Sequence, residues 1–355
     1  MSALAAEALL DQPALRPAEV VELEGLLART LRTAGSVVVC QAEAATLLEA
    51  VARSVAGSGN RVLNVVTGPY GALTGGWLRR TGAEVFDLVV DHQGLSEVAF
   101  RSALRGMDSV VLTQAEAATG ANLELAALLG VASEAGVLTI VDAVAAIGAE
   151  PIAVDDWGID VAVIGGQKAL AGPAGVSAAS VSDRAWRRIE NNPVAPRSST
   201  LSLLDWADGW LRTDRSWIPG TPSVLETRAL LGALRRVQAE GLEAVELRHR
   251  RARAATLAAV TRLGLHPWAA SGRRAAICTT VALPSQLIDM LRPGALLAPG
   301  DGVLAGELFR VNHFGRAADL DVLLAGSDLL ADGLGVPGKR DQACQAATDA
   351  WEETT

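Results

Sequence analysis

The sequence predicts an α/β protein with a mostly parallel sheet covered by helices on both faces. Two observations lead there. Short continuous apolar runs alternate with longer helical stretches through the first half of the chain. Polar residues then recur just beyond the ends of those runs, where such sheets bind ligands. The run SVVVC at 36–40 reads as a first buried strand, with a helix over 44–54. RVLNVV at 61–66 is the second strand, and the Gly-rich turn 68–76 leads into a helix containing Trp77. Residues 83–90 and 109–113 are the third and fourth strands, the latter followed by a helix over about 123–135. VLTIVD at 137–142 is the fifth and 161–165 the sixth.

Periodicity fails between 191 and 223, which predicts an irregular crossing segment. A helical pattern then runs from about 225 to 263, with a bend expected at the GLE of 241–243. Short strands and helices to about 335 predict a small second α/β domain, and the polar tail 336–355 is expected to be partly unstructured. The resulting division is an N-terminal arm at 1–20, a large domain at 21–240, a small domain at 241–335 and the tail.

Composition narrows the function. Half of the 355 residues are hydrophobic, so a large core needs no disulfide or metal. Cys40, Cys278 and Cys344 are widely spaced and form no CxxC, which predicts free thiols in a reducing compartment. A net charge of −9 argues against nucleic acid, whose phosphates need a basic face. No apolar stretch reaches the roughly 18 uncharged residues of a membrane helix, and Met1–Pro13 carries no basic leader. A cytoplasmic protein without a membrane partner is expected.

Three charged residues carry the chemistry. Asp142 ends the fifth strand, Lys168 follows the sixth after a Gly-Gly turn, and Arg310 interrupts the apolar strand LFRVN. Each has an ordinary reading, as a turn aspartate, a snorkelling lysine and an edge-strand arginine. Together they meet the needs of pyridoxal 5'-phosphate. That cofactor takes a lysine for its Schiff base, an acid for its pyridine nitrogen and a forked cation for the carboxylate of an amino acid or 2-oxo acid.

The block 137–186, with Asp142, GID at 158–160, QKAL at 167–170 and GP at 172–173, resembles the class V aminotransferases of pyridoxal-phosphate fold type I. It is most similar to the alanine, serine and ureidoglycine–glyoxylate group. The resemblance continues through 221–251 and through GELFRVNHFG at 306–315. It implies a seven-stranded sheet in the large domain and a homodimer with the site at the interface. It also implies roles. Lys168 would carry the Schiff base and Asp142 would meet the pyridine nitrogen. Val144 and Tyr70 would cover the two ring faces. Gln167, Thr46 and Gln114 would contact the cofactor, Thr221 would reach the neighbouring subunit's phosphate, and Arg310 would hold the substrate carboxylate.

The sequence departs from that family in four places. The Ser/Gly-rich phosphate cup is replaced by QAEAATL at 41–47, so Glu43 would set a carboxylate beside a phosphate dianion. At about 4 Å and an effective dielectric of about 20 that repulsion is about 4 kcal/mol per charge pair before screening. Either Glu43 points away, or a cation compensates, or phosphate binds weakly. At 113–120 a family histidine is replaced by Gln114 and a hydroxyl by Ala118, while Glu116, Thr119 and Gly120 remain. No Pro-Gly-Pro opening is found, and His313 follows Arg310 as either a pocket residue or a strand-end polar group. The leading expectation is an aminotransferase acting on small amino acids and 2-oxo acids such as glyoxylate or pyruvate. Another pyridoxal-phosphate reaction, as a lyase or decarboxylase, and a non-catalytic homologue are the alternatives.

Overall fold

The computed structural model describes residues 12–220, 222–291, 294 and 296–355. After helix α1 (Pro17–Leu31) the chain alternates β1 (Ser36–Cys40), α2 (Ala44–Val55), β2 (Arg61–Val66), α3 (Pro69–Arg80), β3 (Glu84–Val89), α4 (Glu97–Ala103), β4 (Ser109–Thr113) and α5 (Leu125–Glu134). Then come β5 (Leu138–Asp142), β6 (Val161–Gly165), β7 (Ser177–Val181), α6 (Asp183–Glu190) and the single turn α7 (Leu203–Trp206). The sheet order is β1-β7-β6-β5-β4-β2-β3, and β7 alone runs against its neighbours. The seven strands are those the family resemblance implied, although the apolar pattern alone located six and missed β7. Its run SAASV has small polar residues where a strand signal would carry β-branched ones, yet the strand is buried throughout because both faces are covered.

Those covers explain the unbroken apolar strands. On one face α1, α4 and α5 pack Leu23, Leu27, Phe100 and Leu128 onto the sheet. On the other α2, α3 and α6 pack Leu47, Val51, Trp77 and Ile189. Strands β4, β5 and β6 are buried along their whole length, so their interiors are apolar apart from Thr139, which is bonded to Asp160.

The long helical pattern is two helices, α8 (Val224–Glu240) and α9 (Leu242–Leu263), separated by Gly241 at φ +92°. That left-handed residue makes the bend expected at 241–243. A second sheet of order β8-β10-β9 follows, from β8 (Cys278–Ala282), β9 (Leu297–Pro299) and β10 (Leu308–Asn312), with α10 (Ser285–Met290) between β8 and β9. Helices α11 (Leu320–Gly333) and α12 (Arg340–Glu353) complete it. Here the structure differs from the expected partly unstructured tail. Ala343 and Ala347 of α12 are fully buried and join the same core as α9 and α11, so small apolar residues on one face order a polar segment.

Two buried histidines tie the small sheet to its surroundings. His249 Nδ1 meets the Val245 carbonyl, and the Gly315 amide donates to its Nε2. His313 spans the Ala276 carbonyl and the Thr279 hydroxyl, so it serves packing. Burial pushes His249 down to about 4 and His313 down to about 3. Both values lie below that of an unfolded imidazole, so the unfolded chain binds more protons as the medium becomes acid. The stabilisation from the neutral rings is full above pH 6.5 and is lost as pH falls through their folded values. Buried carboxyl groups raised by the fold, Glu116 and Asp142, act in the opposite direction over the same range. The change in urea midpoint from about pH 7.5 to about pH 5 should therefore be less favourable in the wild type than in His313→Gln. Equal differences in both proteins would contradict the assignment.

Candidate active site

A cavity of about 110 Å³ lies beyond the carboxyl ends of β4, β5 and β6, against the first turns of α2 and α3. Parallel pairing brings Thr113, Asp142 and Val163 level with one another, so the residues that follow those strands meet above them. Asp142 is buried at the tip of β5, and the Val144 amide donates to its carboxylate over 3.0 Å. Burial pushes Asp142 up to about 6, while the charge of Lys168 works in the opposite direction.

Lys168 reaches the same cavity through a tight turn. The Gly172 amide bonds the Gly166 carbonyl at 2.7 Å, and a Cβ on Gly166 would lie 2.8 Å from the Pro173 carbonyl oxygen. Only glycine permits that fold-back, which leaves Lys168 half-buried with its Nζ 5.3 Å from the Tyr70 ring centroid. Val144 lines the cavity with Tyr70. The Thr113 hydroxyl, also in the wall, and Gln167 Oε1 are buried with no hydrogen-bond partner. Polar atoms left so inside a cavity invite a ligand.

Glu116, noted above only as a retained residue, proves to be a support. It is fully buried and accepts hydrogen bonds from the amides of Ala118 and Tyr70. It thereby holds the start of α3, and with it the ring of Tyr70. Burial pushes Glu116 up to about 7, Asp142 adds to the rise, and Lys168 opposes it.

The first turn of α2 already holds an anion. Glu43 is its N-cap, accepting from the Ala45 amide at 2.7 Å through one oxygen and from Gln167 Nε2 at 2.8 Å through the other. Glu43 therefore lies at the cavity wall and engages the amide nitrogen of Gln167, whose Oε1 stays unpartnered. The other expected contacts fall in different places. Thr46 faces a second cavity, shared with Gln41 and Thr200. Gln114 is buried and turns away to accept from the Leu123 amide. Thr221 lies outside the described residues.

Arg310 stands on β10, and one of its nitrogens donates to the Ala117 carbonyl. Ala117 is itself part of the Lys168 cavity wall. The fork of Arg310 is filled by the carboxylate of Asp301, at 2.8 and 3.1 Å. Asp301 was not singled out from the sequence. The signal available was indirect, since an arginine within an apolar strand needs an anion.

The sequence profile of the family described as aminotransferase class-V matches residues 32–290. The chain is 31% identical to pyridoxamine–pyruvate transaminase of Mesorhizobium japonicum, over 88% of this chain and 82% of that one. Among solved structures, pyridoxamine-pyruvate aminotransferase from Mesorhizobium loti superposes with a TM-score of 0.89 at 27% identity, over 98% of this chain and 94% of that one. Ureidoglycine-glyoxylate aminotransferase from Bacillus subtilis gives 0.85 at 25% identity, with coverages of 98% and 94%.

A Cβ on Gly68 would lie 2.5 Å from Glu116 Cγ. Gly68→Ala should therefore displace the buried glutamate and cost about 1–3 kcal/mol in urea denaturation. Unchanged stability would show that Glu116 can move freely.

Proposed function

The chain belongs to the class V aminotransferase family, and from that premise we propose that it passes an amino group to a small 2-oxo acid, pyruvate or glyoxylate, at Lys168. Its fold is pyridoxal-phosphate fold type I, that of the solved aminotransferases it superposes on. The observation that carries the proposal is the meeting of a half-buried amine, a buried carboxyl group and an aromatic face in one cavity. The acceptors are those in the names of the Mesorhizobium and Bacillus relatives. Those names favour transamination over a lyase, a decarboxylase or a non-catalytic homologue.

Pyridoxal phosphate, the family's cofactor, supplies an electron sink that lets a proton leave the amine-bearing carbon. The residues present fit its pyridine ring and aldehyde. Asp142 is the acid for a ring nitrogen, and its burial strengthens a charge-assisted bond. Tyr70 and Val144 are the two walls. Thr113 offers an unused hydroxyl. Lys168 Nζ would hold the cofactor and would carry the proton to and from the amine-bearing carbon. Arg310 holds the carboxylate of the 2-oxo acid. Lys168→Ala should lower kcat by at least about 1000-fold with pyruvate or glyoxylate as acceptor, because it removes both the covalent hold and the proton carrier. Activity near wild type would overturn the role given to Lys168.

The phosphate end supports a second reading. The carboxylate of Glu43 holds the helix terminus that a phosphate would use. A phosphate dianion there meets a like charge, whereas a hydroxymethyl group can donate a hydrogen bond to it. This favours unphosphorylated pyridoxamine as the amine donor, in keeping with the name of the Mesorhizobium relative. Titrations followed by absorbance should show pyridoxal binding at least about 10-fold tighter than pyridoxal phosphate, and Glu43→Gly should narrow or reverse the gap. Tighter binding of the phosphate form by the wild-type protein would refute this reading.

The remaining expectations stay part of the proposal: a homodimer with Thr221 at the neighbouring site, a cytoplasmic location and a domain division near residue 240. The free thiols of Cys40, Cys278 and Cys344 support the second, and the left-handed Gly241 between α8 and α9 supports the third. Among the described residues no helix is long and apolar enough to cross a membrane.

A further inference from the structure

We propose that Asp301 is an internal competitor for the substrate carboxylate, filling the fork of Arg310 until a 2-oxo acid displaces it. The inference rests on Arg310 being the group that holds that carboxylate. Arg310 lies on the central strand of the small sheet, level with Thr280 on β8 and Ala298 on β9. Its side chain is only 14% exposed, and it makes a two-pronged pair with Asp301, which is 36% exposed. A guanidinium buried to that degree is costly without an anion. The pair therefore satisfies the cation while the site is empty. The carboxylate of a 2-oxo acid has the same geometry and charge as that of Asp301, so one can replace the other without leaving the cation bare.

Two features mark the fork as a binding place. Arg310 Nε and the Thr280 hydroxyl are both buried, and neither has a hydrogen bond beyond the contact of Thr280 with the Cys278 thiol. They belong to residues directly opposite on paired strands, so they share one face of the sheet. Asp301 satisfies only the two outer nitrogens of Arg310 and leaves this inner pair unused. The backbone that follows Asp301 leaves room, since Gly302, at φ +59°, has nothing within 4 Å of its Cβ position. On release, the half-exposed carboxylate of Asp301 rehydrates at the surface, while Arg310 keeps its bond to the Ala117 carbonyl beside Lys168.

An internal competitor weakens the apparent affinity for the acceptor by the fraction of time it holds the fork. Asp301→Asn should therefore lower the KM for pyruvate or glyoxylate by about 3–10-fold and leave kcat within about 2-fold. Asp301→Glu, which keeps the charge, should stay near the wild-type KM. Asp301→Ser gives the same reading as Asn if that variant folds poorly. An Asn or Ser variant with an unchanged or raised KM would overturn the inference, because Asp301 would then be positioning Arg310 and not competing for it. Arg310→Gln separates this from failure of the underlying reading. It should raise the acceptor KM by about 100-fold or more, with the pyridoxal titration unmoved. If it leaves KM unchanged, Arg310 does not hold the carboxylate, and the inference falls with that role.

Discussion

A carboxyl group buried at the end of a central strand costs several kcal/mol unless a cation meets it. Asp142 is that group, and the site is arranged around the cost. Burial holds it on the side of the proton, and Lys168 is the charge that opposes this. The parallel sheet places Asp142 and the turn carrying Lys168 on adjacent strands, β5 and β6, at their carboxyl ends. Glu116 adds a second buried carboxyl group nearby and fixes the helix of Tyr70. Asp142 lines the cavity, whereas Glu116 lies behind its wall, bonded to the amides of Tyr70 and Ala118. A cation meeting Asp142 in the cavity would oppose the rise that burial causes.

The same principle recurs at the edges of the cavity. Glu43 fills the N-terminus of α2, and Asp301 fills the fork of Arg310. Both positions attract anions for general reasons, one through unpaired backbone amides and the other through a guanidinium. Each is satisfied by a carboxylate from the chain itself. The two differ in what they permit. Glu43 is tied at both oxygens, to a backbone amide and to Gln167, whereas Asp301 sits between glycines with part of its surface in water. The first arrangement favours exclusion of an anion, and the second favours exchange with one.

Much of this was legible in the sequence, because burial writes a plain pattern. Strands β1, β2 and β4 begin and end where the apolar runs do, and Asp142, Lys168 and Tyr70 converge as their positions after strands and turns required. Strand β7 escaped because a strand buried on both faces can be made of Ser and Ala when its neighbours crowd it. The order of the tail escaped because Ala343 and Ala347 carry weak individual signals and matter only against α9. Gln114 was expected at the cofactor from its place in the motif, yet its amide oxygen accepts from the Leu123 backbone. Asp301 escaped because its role depends on a partner nine positions along the chain and on the turn that brings them together.

The central claim is that Lys168 is the amine that takes the aldehyde of a pyridoxal compound beside Asp142. Mixing the protein with pyridoxal, reducing with borohydride and mapping the peptides tests this most directly. The account predicts a single reduced adduct on Lys168. An adduct on another lysine, or none, would contradict it.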